Sequence, residues 1–69
     1  MGIGNEDISI AISNEQMAWT QGSLGHDASA LSHYERSVEA YRRLGDVAKV
    51  AQIQPRIAGL RARMAARAA

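Results

Sequence analysis

The sequence predicts an all-α fold built from three helices. Gly-centred breaks at residues 22–27 and 44–46 divide the 69 residues into three stretches. In the second and third stretches the large apolar residues recur three and four apart, the period of one helix face. The connections are only a few residues long, which makes neighbouring helices antiparallel.

In the first stretch Asn5 or Asp7 is placed to cap a helix, and Glu6 and Asp7 suit its positive end. Residues 1–5 are expected to be flexible, because Gly2 and Gly4 flank Ile3. Ile10, Met17 and Leu24 recur at seven, and Ile8, Ile12 and Trp19 form a second apolar line. Two lines predict a helix contacted on two sides. The competing assignment for residues 8–13 is a strand, since apolar and small polar residues alternate there. A lone strand would find no partner in this chain, so helix is preferred.

Gly25 marks the end of the first helix, and Asp27 is the expected N-cap of the second. Over residues 27–44, Leu31, Tyr34, Val38, Tyr41 and Leu44 define one face, and Glu35, Arg36, Glu39, Arg42 and Arg43 the other. Glu39 and Arg43 form an i,i+4 pair, worth a few tenths of a kcal/mol. Gly45 then closes the helix and Asp46 caps the next. Over residues 47–67 the stripe Val50, Ile53, Ile57, Leu60, Met64 is the most regular in the chain. Pro55 interrupts it and predicts a kink or break near residues 52–54; Gly59 weakens it further, and residues 65–69 should fray.

The absence of Cys removes disulfides and thiolate metal sites. A chain this short buries only about 60% of its unfolded surface, so it depends on efficient helix packing or on a partner. No apolar run approaches the roughly 20 residues that span a bilayer, and the first residues lack the pattern of a secretory signal, so no membrane association and a cytoplasmic location are expected. Net charge is +1, yet residues 1–35 hold Glu6, Asp7, Glu15, Asp27 and Glu35 with no Lys or Arg, and residues 47–69 hold Lys49, Arg56, Arg61, Arg63 and Arg67 with no acid. This polarity predicts first and last helices attracting one another, or a basic surface for an anionic partner.

His26 and His33 match no zinc spacing and are expected to be solvated or capping. No Ser sits in a nucleophile elbow and no Gly-rich segment precedes a Lys-Ser/Thr pair. The expectation is a non-enzymatic chain with no catalytic residue, cofactor or metal.

Met17-Ala18, Gly25, Ala30, Tyr34 and Ser37 form an ordered set of large, small, turn, small, aromatic and small positions, and on that set residues 17–38 resemble a tetratricopeptide repeat. Met17-Ala18 stand where a large and a small residue begin the contact face of the family's first helix, and Gly25 matches its turn. Ala30, Tyr34 and Ser37 match the small, aromatic and small positions of its second helix. Leu44-Gly45-Asp46 is similar to the linker of long-period members, and Ile57-Ala58 falls 40 residues after Met17-Ala18. Asn14 and Gln21 depart from the family's aromatic positions, and Pro55 is unusual in a first helix. The resemblance covers residues 11–60. It implies a TPR-like helical hairpin with a third helix that caps it or begins a next repeat, either a unit of a longer array or a small protein completed by self-association.

The expected function is therefore a protein–protein interaction or oligomerisation module, a scaffold that engages a protein partner or itself. Trp19, Tyr41, Val50, Ile53, Ile57, Leu60 and Met64 are the expected partner-binding residues. The alternative is a small regulator that binds nucleic acid through the basic face Arg56, Arg61, Arg63 and Arg67.

Overall fold

The computed structural model describes residues 3–68. They form three helices, α1 (Ile3–Ser23), α2 (Asp27–Arg43) and α3 (Val47–Ala68), and no strand. Residues 8–13 are helical. Helix α1 packs on α2 and α2 on α3, whereas α1 and α3 do not pack on each other. The result is a long open layer, 48 × 20 × 13 Å. Its radius of gyration is 12.6 Å, against roughly 11 Å for a compact chain of this length.

Both turns use the same device. Gly25 and Gly45 have φ of +82° and +72°, a conformation that costs an L side chain energy. At the first turn the His26 amide donates to the Gln21 carbonyl (2.9 Å) and the Gly25 amide to that of Gly22 (3.1 Å). At the second, the Asp46 amide donates to Tyr41 (2.9 Å) and the Gly45 amide to Arg42 (3.0 Å). Each is a Schellman closure. Asp46 caps α3 as expected, its Oδ1 accepting from the Lys49 amide at 3.1 Å.

Several boundaries differ from expectation. Helix α1 begins at Ile3, so residues 3–5 are helical and Asn5 and Asp7 lie inside the helix. Residues 1, 2 and 69 lie outside the described residues. His26, not Asp27, occupies the N-cap of α2, and it makes no side-chain cap bond. Helix α3 runs unbroken through Pro55 to Ala68. Pro55 cannot donate to the Ala51 carbonyl, but both residues are exposed, which leaves that carbonyl to water.

The two helix interfaces differ in chemistry. Helix α1 meets α2 through small and polar residues: Asp7, Ala11, Asn14, Ala18 and Gln21 point inward, with Ala11 and Ala18 fully buried against Ala30, Ser37 and Ala40. Ser37 Oγ donates to the Ala11 carbonyl at 2.8 Å, and Asn14 Oδ1 is bonded to His33 Nδ1 at 2.9 Å. Helix α3 meets α2 through large residues, Ile53, Ile57 and Leu60 against Tyr34 and Val38. Of the two apolar lines of α1 only Ile10 packs against the core, half-buried; Ile8, Ile12, Met17, Trp19 and Leu24 are all exposed.

Asp27, the first residue of α2, is buried and binds the end of α3. Arg63 grips it with both arms, Nη2 at 2.7 Å and Nε at 3.0 Å, and Arg67 Nη1 adds a third contact at 3.0 Å. Asp7 on α1 repeats the arrangement with Arg43 on α2 at 3.1 Å. Both pairs span 36 residues. Likewise Glu15 accepts from Tyr41 and Glu35 from Arg61, each over 26 residues and at 2.8 Å. The charged pairs of α1–α2 thus recur in α2–α3 with a shift of 20 residues: Asp7 to Asp27, Arg43 to Arg63, Glu15 to Glu35.

Ile53 is 1% exposed, and Ile53→Ala should cost about 2–5 kcal/mol in chemical denaturation. Gly59 has open space where a Cβ would sit, so Gly59→Ala should add about 0.5–1 kcal/mol. The hydrogen bonds and charge of Arg63 hold the Asp27 carboxyl below its ordinary 3.8, against the opposing effect of burial. A depressed folded pKa stabilises above the unfolded value and is lost as pH falls through the folded one. Thermal melts from pH 6 to pH 2 should therefore show wild type losing, below about pH 4, its advantage over Asp27→Asn.

Candidate functional site: the groove between the outer helices

Because α1 and α3 both rest on α2 without meeting, a groove opens between them. Ile12, Glu15, Gln16, Trp19 and Thr20 form one wall, Lys49 and Arg56 the other, and Tyr34 and Tyr41 the floor. It encloses about 760 Å³ and is open along its length. Its α1 wall exists because α1 turns its small and polar residues toward α2, which leaves Ile8, Ile12 and Trp19 outward. Trp19 is 62% exposed, a large apolar ring in water.

Electrostatically the groove has a closed end and an open one. Glu15 accepts from the Tyr41 hydroxyl at 2.8 Å and from Lys49 Nζ at 3.2 and 3.3 Å, and the ammonium lies 5.5 Å from the Tyr41 ring centre. This cluster is the only polar tie from α1 to α3 among the described residues, so charge polarity does join these helices, at one point rather than along a face. Burial first, and the Glu15 carboxylate second, push the Tyr41 hydroxyl up to about 12. At the other end Arg56 Nη1 donates to the Tyr34 hydroxyl at 3.5 Å, and the hydrogen bond raises the guanidinium's pKa. Arg56 has no carboxylate partner among the described residues, whereas Arg61 pairs with Glu35, and Arg63 and Arg67 with Asp27.

Of the expected partner-binding residues, Trp19 stands in the groove and Tyr41 is its floor, 5% exposed and bonded rather than free. Ile53, Ile57 and Leu60 do not present a surface: they are the buried contact of α3 with α2, with Val50 and Met64 half-buried on the same side. Helix α2 supplies the apolar cover that the stripe needs. The basic face also divides, since only Arg56 reaches the groove. Glu15 and Lys49 belong to the acidic and basic ends of the sequence; they are 34 residues apart, and nothing local pairs them. His26 and His33 bond Gln21 and Asn14, as turn and packing residues.

Tyr41 should give a late step in a spectrophotometric titration. Tyr41 is expected to ionise only near pH 12, and Tyr41→Phe should delete that late step. Because the folded value is raised above the ordinary 10, its contribution to stability is full below pH 10 and falls as pH rises toward 12.

Compared with known proteins, the chain matches no family model, no curated protein and no solved structure, so what the groove does is read from its own residues.

Proposed function

We propose that the chain is a non-catalytic protein–protein interaction module that receives a protein segment in the groove between α1 and α3. One observation carries this: apart from the half-buried Ile10, α1 faces its own fold with Asp, Ala, Asn and Gln, and it faces solvent with Ile8, Ile12 and Trp19. A helix serving only its own core would present the opposite face inward. Exposed apolar side chains rimmed by polar ones favour a protein partner. Trp19 and Arg56 are the two residue types most often found at the energetic centre of such contacts. The groove's ionisable groups are already occupied, with Glu15 held by Tyr41 and Lys49, which suits binding better than proton transfer. The likeness of residues 17–38 to a tetratricopeptide repeat points the same way. The nucleic-acid alternative is less well supported, because Arg61, Arg63 and Arg67 spend their charge on Glu35 and Asp27.

A photoreactive side chain at position 19 tests this in the cell of origin. Adducts with one defined protein, lost in Ile12→Glu or Arg56→Glu, are the expected result. Tight binding of duplex DNA or RNA at low salt, with a steep salt slope and no protein adduct, would replace this reading with the nucleic-acid one.

A further inference from the structure

We infer that the segment this groove receives brings an acidic side chain to Arg56 and, two or three residues away, a large apolar side chain to a notch beside Gly59. This inference rests on the interaction-module reading and specifies the chemistry of the partner.

The groove runs on past its main chamber. Trp19, Tyr34 and Arg56 line that chamber, and the same three line a second hollow together with Gly22, Gly59 and Leu60. The two spaces are continuous, and Trp19 from α1 and Arg56 from α3 stand at their junction. The second hollow encloses about 390 Å³. A cavity of roughly 150 Å³ already accepts a benzene ring, so one large side chain fits with room to spare.

Gly59 makes that room. Glycine weakens a helix interior, and the fold itself does not require one here. Only Gly25 and Gly45 have positive φ, and a Cβ on Gly59 would meet nothing within 4 Å. Neither a turn nor a close helix approach accounts for it. Its effect is to keep the α3 wall low, one turn beyond Arg56 and facing the Trp19 side of the groove.

Charge decides what else the segment carries. Lys49, Arg61, Arg63 and Arg67 of α3 each have a carboxylate, whereas Arg56 has none among the described residues. Arg63 also lines the second hollow, and with Arg67 it sets two guanidiniums on the single carboxylate of Asp27. No acid lines this hollow. In the main chamber Glu15 and Lys49 balance each other. The field is therefore positive at the Gly59 end, and a complementary partner is negative there. One free guanidinium beside an apolar ring suits one carboxylate on an apolar segment; a phosphate would call for several free donors.

The spacing follows from α3. Arg56 and Gly59 are three residues apart, about 4.5 Å along the helix axis. This is close to one same-face step of a bound segment, two residues if it is extended and three if it is helical.

Selection of a random peptide library displayed on phage, against the full chain, tests this. Enriched peptides should share Asp or Glu two or three residues from Phe, Trp, Leu or Ile. A synthetic peptide of the enriched sequence should bind Arg56→Glu at least tenfold more weakly than wild type. Changing its acid to Lys should restore binding to that variant, which also shows the variant folded. Gly59→Leu should weaken the same peptide at least tenfold while melting no lower than wild type by circular dichroism. Peptides that require Trp19 yet carry no acid, or that bind Arg56→Glu and Gly59→Leu undiminished, overturn this inference and leave the groove reading standing. A selection that enriches nothing, or only peptides indifferent to Trp19→Ala, overturns both.

Discussion

Among the described residues helix α2 is the only element with neighbours on two sides, and the close approach of α1 to it governs the rest. Ala11, Ala18, Ala30, Ser37 and Ala40 have no exposed surface. Side chains that small let two helices approach closely, and they leave no room for the larger residues of α1 between them. Ile8, Ile12, Met17, Trp19 and Leu24 are thereby forced outward. The exposed apolar rows are the geometric consequence of a polar, small-residue seam.

That seam joins buried alanines with specific bonds. The hydroxyl of Ser37 reaches a backbone carbonyl, Asn14 meets His33, and Asp7 meets Arg43. The α2–α3 seam is the reverse, with Ile53, Ile57 and Leu60 supplying most of the buried apolar surface and Asp27 fixing the register. One seam is specific and the other greasy, yet the charged pairs recur at the same separations in both.

The groove is a second consequence of that openness. Were α1 and α3 in contact, Tyr34 and Tyr41 would be sealed beneath them. Instead one ionic cluster, Glu15 with Tyr41 and Lys49, spans the gap at one end, and Arg56 stands at the other without a carboxylate. The site is thus anchored where it is charged on both walls, and open where an aromatic ring faces a single cation.

The sequence by itself determined three helices, their antiparallel order, the glycines that end them and the apolar stripe of α3, because each depends on periodicity or on a turn conformation encoded within a few residues. Ala18, Ala30 and Ser37, which the sequence analysis marks as small positions of a helical hairpin, are fully buried. Tertiary structure alone decided which face of α1 turned inward: hydrophobicity favoured its Ile and Met rows, and the small-residue seam prevailed because it could bring the backbones nearer. It also decided that the α3 stripe would be consumed on α2 rather than offered to a partner, and that Asp27 would bind Arg63 and Arg67 instead of capping its own helix. Those outcomes join residues far apart in the chain, 26 positions for Ser37 with Ala11 and 36 for Arg63 with Asp27, and no local pattern reports which distant side chain a given carboxylate will find.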